Sequence, residues 1–125
     1  MIHHVSFGTD DVARARAFYD PVMDVLGMRR LMLDAYGVHY GTGDIEFSLI
    51  RPSDEKAASA GNGAHVAFTA RDRAMVDRFH AIAMAHGGHS DGAPGIRADY
   101  DANYYAAFVH DPDGNKIEAV TMAAA

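Results

Sequence analysis

The chain has 125 residues, of which 49% are hydrophobic and 22% are charged, and its formal net charge is -6. This length suits a single domain, and the composition is that of a globular rather than a disordered chain. The lysines and arginines are scattered, which argues against nucleic acid as a partner. No stretch approaches the roughly 20 apolar residues of a membrane span, so we expect no membrane partner and a cytoplasmic location.

The absence of cysteine and the abundance of histidine constrain the chemistry. Without cysteine, disulfides, thiolate zinc sites and cysteine nucleophiles are excluded, and any metal must be bound through nitrogen and oxygen. Eight histidines in so short a chain indicate either surface residues or metal chemistry. No serine lies in a nucleophile-elbow context, and no glycine-rich phosphate-binding motif is present.

The chain contains a weak internal repeat. Residues 4–7 (HVSF) and 65–68 (HVAF) align at an offset of 65 - 4 = 61, and at this offset Phe18 falls on Phe79. The ends of the halves, residues 44–47 (DIEF) and 116–119 (KIEA), match only after a gap. We therefore predict two related modules, residues 1–52 and 63–125, joined by a linker at about residues 53–62.

Each module is predicted to run from a strand to a helix and then to two or three strands. An apolar, β-favouring run follows each repeated histidine, and apolar residues at spacings of three and four then predict a helix. The helix ends are predicted by capping aspartates and by glycines, namely Asp10 or Asp11, Asp72, Gly27 and Gly87 with Gly88.

The later strands are predicted at residues 29–33, 38–40, 45–50, 104–110 and 116–122, with a hairpin turn at residues 111–115 (DPDGN). Residues 92–103 have no clear period and are interpreted as a loop over a pocket. The predicted fold is α+β, and if the sheet curls, its face opposite the apolar side chains encloses a cleft.

Equivalent positions of the two halves carry residues that can bind metal. A histidine begins the first strand of each half (His4 and His65), and a glutamate lies in a late strand of each (Glu46 and Glu118). Taken singly, such residues more often lie on a surface. Their agreement across the repeat favours an N2O2 set in the cleft, which suits Zn, Fe(II), Mn, Ni or Co with positions left open for substrate.

Other polar and aromatic residues give weaker signals. Arg97, Tyr100 and Tyr105, together with Tyr104, cluster near the predicted cleft and are candidates for binding a substrate ring or anion. Packing of strand-favouring aromatics on a sheet explains the tyrosines equally well. His3 is expected to face away from His4. The other histidines are most simply structural or surface residues, namely His39, His80, His86, His89 and His110.

With these motifs the chain resembles the vicinal oxygen chelate superfamily, which includes glyoxalase I, fosfomycin-resistance enzymes, bleomycin-binding proteins and extradiol dioxygenases. The resemblance rests on His4 with Asp11 and on four motifs, namely residues 17–20 (AFYD), 26–28 (LGM), 63–68 (GAHVAF) and 108–118 (FVHDPDGNKIE). It implies two βαβββ modules forming a curved mixed sheet around a cleft, and a homodimer in which modules of two chains can share a site.

The resemblance also implies that His4, His65 and Glu118 are metal ligands. Glu46 coincides with the fourth ligand of glyoxalase I and would favour lyase or isomerase chemistry, with Ser48 as the alternative if the strand slips. The other three residues alone would suit a ring-cleaving dioxygenase. At Gly8 the basic residue that anchors glutathione in glyoxalase I is missing, so the glutathione-dependent reaction is not expected.

We therefore expect a metal-dependent enzyme in which one divalent ion chelates two neighbouring oxygens of a small substrate. Glu46 or Glu118 would move a proton. Two alternatives stay open at this point. One is a metal-free protein of the bleomycin-resistance type that binds a small ligand, and the other is a family member that keeps the fold only as a dimer scaffold.

Overall fold

The computed structural model describes residues 1–125. In chain order the elements are β1 (Val5–Gly8), α1 (Val12–Val25), β2 (Arg29–Leu33), β3 (Gly37–Gly41), β4 (Phe47–Ile50), β5 (His65–Thr69), α2 (Arg73–Ala85), β6 (His89–Ile96), β7 (Tyr105–His110) and β8 (Lys116–Thr121). This order is βαβββ written twice, and it confirms the predicted α+β fold. Neither helix is both long and apolar enough to cross a membrane.

Each module builds its own four-stranded mixed sheet. The strand orders are β1-β4-β3-β2 and β5-β8-β7-β6. In each sheet the first strand pairs in parallel with the last, and the other pairs are antiparallel. The first strands of the modules, β1 and β5, therefore lie at open sheet edges, and no strand pairing joins the two sheets within one chain.

Both helices begin and end where the sequence predicts. Asp11 accepts a hydrogen bond from the backbone N–H of Arg14 at 2.9 Å, and Asp72 caps the second helix in the same way. Just after the helices, Gly27 and Gly87 adopt φ values of 83° and 99°. Only glycine takes this left-handed conformation without strain, which explains why the helices stop there.

The two modules share one core. Its 18 buried residues come from both halves, and the rings of Phe47 and Phe68 meet edge to face at 5.1 Å between the sheets. The core residues of the central strands alternate with residues of the opposite faces. His39 follows Val38, and Glu118 follows Ile117. Both of these side chains therefore lie on sheet faces turned away from the shared core.

The turn at residues 111–115 attaches the second module to the first. Asp111 is buried and accepts a 2.6 Å hydrogen bond from the hydroxyl of Tyr19 in α1. Asn115 donates through Nδ2 to the carbonyl of Gly8, the last residue of β1, at 3.1 Å. The predicted hairpin turn is therefore confirmed, and it also forms a buried polar contact between the modules.

The prediction of a loop at residues 92–103 is wrong in its first part. Residues 92–96 belong to β6, which pairs with β7 through two register shifts, between Ser90 and Gly92 and between Gly92 and Gly95. Glycine and proline obscure a strand pattern, but the shifts leave unpaired positions that tolerate them.

Candidate metal and substrate site

The second module brings two predicted metal ligands together. His65 begins β5, and Glu118 lies in the neighbouring β8. Nε2 of His65 and Oε1 of Glu118 are 3.1 Å apart. The Glu118 side chain is only 2% exposed, whereas that of His65 is 43% exposed. A carboxylate so deeply buried requires hydrogen-bond donors or a cation beside it.

Tyr104 occupies the other oxygen of Glu118. Its hydroxyl donates to Oε2 at a distance of 2.5 Å. Burial, and next the hydrogen bond with Glu118, raise the pKa of Tyr104 to about 12. The hydroxyl therefore keeps its proton at neutral pH and holds the carboxylate in one orientation, as partners of metal-binding carboxylates do.

A cavity of about 250 Å³ opens over this pair. Its lining residues are aromatic or ionisable, namely His65, Tyr100, Tyr104, Phe108, Lys116 and Glu118. Tyr100 is 66% exposed and stands at the mouth. The guanidinium of Arg97 lies 5.3 Å from the ring centroid of Phe108. Of the residues predicted to bind substrate, Tyr100 thus lines the cavity and Arg97 lies beside its wall.

Tyr105 lies on the other face of the sheet. Its hydroxyl donates to Asp77 of α2 at 2.6 Å, and the guanidinium of Arg73 lies 5.0 Å from its ring centroid. These contacts hold Tyr105 against the helix, away from the residues around Glu118. The structure therefore does not bring Tyr105 to the cavity that Tyr100 lines.

A larger neighbouring cavity of about 480 Å³ shares His65 and Lys116 with the first. Asp91 lies in its lining and accepts a 2.9 Å contact from the ammonium of Lys116, with Nε2 of His110 at 3.4 Å. Register places His65, Lys116, His110 and His89 in one row across the sheet. His110, which was expected to be a structural or surface residue, therefore lies beside the candidate site.

The first module places Ser48 where the second places Glu118. Ser6 of β1 pairs with Ser48, and Ala67 of β5 pairs with Glu118. Because the offset of 61 makes Ser6 and Ala67 equivalent, the residues opposite them are equivalent too. The β4 register therefore favours Ser48, the alternative considered for Glu46. Nδ1 of His39 lies 2.7 Å from the Ser48 hydroxyl, so these two side chains lie on the same face of the first sheet.

Glu46 lies just before β4 and is held by a turn. Its Oε1 accepts hydrogen bonds from the N–H and the hydroxyl of Thr42, both at 2.8 Å. The backbone bond and then the side-chain bond from Thr42 lower the pKa of Glu46. His4 lines a cavity of about 290 Å³ together with His3, Ser6, His39, Asp44, Ile45 and Ser48, whereas Glu46 lines a different one.

Within one chain the four predicted ligands do not meet. His65 and Glu118 form a pair, but His4 and Glu46 belong to the other sheet. No three histidine, aspartate or glutamate side chains converge closely enough to hold a metal ion. A single chain thus brings together one imidazole nitrogen and one carboxylate of the predicted set.

The sequence analysis gave no site role to several residues around these cavities, and strand alternation is the signal that finds two of them. Lys116 precedes Glu118 by two residues in β8 and shares its face. His39 separates the buried residues Val38 and Tyr40, so it must face the other way. Phe108 needed the folded chain, because its partners lie in other strands. For Tyr104, already a candidate for substrate binding, the structure adds the hydrogen bond to Glu118.

Comparison with known proteins identifies the family. Residues 1–119 match the family model of the Glyoxalase/Bleomycin resistance protein/Dioxygenase superfamily. A glyoxalase/bleomycin resistance protein from Albidiferax ferrireducens is 32% identical in sequence, with a TM-score of 0.86 and coverage of 94% of this chain and 95% of that one. No protein of curated function matches the chain.

More distant structures share the fold. A glyoxalase/bleomycin resistance protein/dioxygenase family enzyme from Burkholderia phytofirmans has a TM-score of 0.75 at 17% identity and covers 98% of both chains. A lactoylglutathione lyase from Agrobacterium tumefaciens has a TM-score of 0.65 at 24% identity, covering 96% of this chain and 92% of that one. The paired βαβββ modules and the match over residues 1–119 show that this chain belongs to the glyoxalase/bleomycin resistance protein/dioxygenase superfamily.

Proposed function

We propose that this protein is a metal-dependent enzyme that binds two neighbouring oxygens of a small substrate, with lyase or isomerase chemistry favoured over ring cleavage. One divalent ion (Zn, Ni, Fe, Mn or Co) would be held by His65 and Glu118 and by His4 of a second copy. The observation that carries the proposal is the 3.1 Å pair of His65 and buried Glu118 beneath a cavity.

The donor types support a metal rather than a simple ion pair. A neutral imidazole and a carboxylate are the ligands that such ions take in sites without cysteine. The hydroxyl of Tyr104 holds Oε2 of Glu118, so Oε1 stays directed at His65. A purely structural ion pair would not need a cavity above it.

Open sheet edges support a homodimer as the complete form. His4 immediately precedes β1 and His65 begins β5, and both strands lack a neighbour on one side. Exposed edge strands are places where a second chain can pair. In a twofold dimer, the His65 face of one copy would meet the His4 face of the other. Glu46 remains the predicted fourth ligand, with Ser48 as its alternative in register.

Several residues of this chain would have separate roles in such a site. A bound divalent ion supplies Lewis-acid stabilisation of negative charge on the substrate oxygens. Tyr104 orients Glu118, and the rings of Phe108 and Tyr100 line the cavity beside it. Glu46 would accept a proton as an ionised carboxylate, and the Thr42 hydrogen bonds that lower its pKa make it a weaker base.

Metal content tests the proposal. Protein purified without chelators should contain about one divalent ion per chain by elemental analysis, since a twofold dimer has two equivalent sites. His65→Ala and Glu118→Ala should each lose the ion, whereas His86→Ala, an exposed histidine at the end of α2, should retain it. Absence of metal from the wild-type protein, together with no affinity for added ions, would sink the enzyme proposal.

A metal-free protein that binds a small ligand is the second candidate. It is favoured by the aromatic lining of the cavity and by the failure of three ligands to converge in one chain. This candidate predicts ligand binding that survives chelator treatment and the His65→Ala change. The metal measurement therefore separates the two.

A further inference from the structure

We propose that Arg97 is a fixed cation that selects substrates carrying a carboxylate next to a planar apolar group. The inference rests on the proposed function in one respect, because the cavity concerned is the one above His65 and Glu118. It names the class of substrate that this cavity takes.

The guanidinium of Arg97 is held in a place built for it. Nη1 donates to the carbonyl of Gly95 at 2.9 Å, and Nη2 donates to the carbonyl of Ala93 at 2.8 Å. The same group lies over the ring of Phe108. A Cβ at position 92 would stand 2.9 Å from Nη2 of Arg97 and 3.0 Å from Phe108, so Gly92 provides the room that the guanidinium occupies.

The charge of Arg97 has no carboxylate partner. It forms no salt bridge within 4.0 Å, whereas the acidic groups nearby are already engaged, Asp91 with Lys116 and Glu118 with His65 and Tyr104. A guanidinium carries five N–H donors. The two backbone carbonyls use two of these donors and leave the others for a ligand, and paired guanidinium N–H groups bind carboxylates well.

A second cation at the same ring strengthens the inference. The ammonium of Lys116 lies 5.1 Å from the ring centroid of Phe108, so two positive groups stand by one aromatic wall of the cavity. Asp91 pairs with Lys116, so of these two cations Arg97 is the one without an anionic partner. The flat ring of Phe108 and the exposed ring of Tyr100 would contact the apolar part of the same ligand.

Binding of benzoate and its neutral isostere benzamide tests the assignment, measured by NMR titration before and after chelator treatment and with added Zn²⁺. The wild-type protein should bind benzoate about tenfold more tightly than benzamide, because charge-assisted hydrogen bonds are roughly twice as strong as neutral ones. Arg97→Gln should remove this preference by weakening benzoate binding alone. Arg78→Gln, at an exposed position of α2, makes the same charge change and should keep the preference.

The outcomes distinguish this inference from the proposed function. A preference for benzoate that survives chelator and is lost in Arg97→Gln supports the assignment, whatever the metal content. A preference that requires Zn²⁺ and persists in Arg97→Gln overturns it while leaving the metal proposal intact. Equal weakening of both probes, or no benzoate binding at millimolar concentration, also overturns it. Arg97→Lys keeps the positive charge but lacks the paired N–H donors of the guanidinium. It replaces the glutamine variant if that variant fails to fold, and it should show a reduced preference for benzoate.

Discussion

Glu118 is a buried carboxylate at the proposed metal site. Its side chain is removed from water, yet both of its oxygens have partners, His65 on one side and Tyr104 on the other. Removing one partner of a buried charge leaves the other uncompensated, which costs more than the contact itself is worth. The hydroxyl of Tyr104 is therefore expected to matter to any ligand of Glu118.

We predict that Tyr104→Phe lowers metal affinity by about 10- to 100-fold, as loss of a hydrogen bond to a metal-binding carboxylate typically does. Isothermal titration with Zn²⁺ measures the change. Tyr36→Phe is the matched control, since Tyr36 is 74% exposed. Equal affinity in the Tyr104 variant and the wild-type protein would show that the hydroxyl does not orient the ligand.

Asp111 is a second buried carboxylate with a structural role. It accepts hydrogen bonds from Tyr19 and from the N–H groups of Asp113 and Asn115. We predict that Asp111→Asn destabilises the fold by about 1–3 kcal/mol. The amide NH2 has no lone pair for these donors, whereas a carboxyl oxygen keeps one whether or not it is protonated. Urea unfolding measures the difference.

The pH dependence of that difference has a definite sign. Burial raises the pKa of Asp111 above its ordinary value of 3.8, although hydrogen bonds from Tyr19 and Asn115 oppose the shift. The stability that this group contributes is fully present below pH 3.8 and is lost as the pH rises through the raised pKa. The deficit of Asp111→Asn should therefore be larger at acidic than at neutral pH, and a deficit that grows with pH would contradict this account.

At the scale of elements, the bounds of helices and strands were largely predictable, because periodicity and capping are local. The aspartate caps and the strands at residues 5–8 and 29–33 follow from such patterns. The strand β6 did not, since its pairing depends on register shifts that no local pattern specifies. The role of Glu46 stays a prediction for a related reason. The gap in the repeat before β4 left its register open, and the structure aligns Ser48 with Glu118.

Packing at the end of α2 gives a prediction for an element. A Cβ at Gly88 would lie 2.8 Å from the carbonyl oxygen of Ala83 and 2.9 Å from both Phe18 and Val109. Gly88→Ala should therefore destabilise the protein by about 1–3 kcal/mol through overpacking. Thermal unfolding checks this, with Gly43→Ala as control, because a Cβ there meets nothing within 4 Å. Equal melting temperatures of the two variants would contradict the close packing.

At the scale of the molecule, the repeat predicted which residues are candidate ligands but not how the packing of the two modules places them relative to one another. His4 immediately precedes β1, and its counterpart His65 begins β5. The shared core, however, takes the inner face of both sheets, so Ser48 and Glu118 lie on outer faces. How two modules pack depends on many contacts between helices and turns, and no spacing within the sequence specifies it.

Mixing of two variants tests most directly whether a metal is held between two chains. His4→Ala and His65→Ala should each lose metal, since every site would lack one imidazole. After unfolding and refolding together, about half of the dimers should be mixed with one intact site each, which restores about a quarter of the wild-type metal content. Metal content of the mixture no higher than that of the separate variants would contradict a site shared between His65 of one chain and His4 of another.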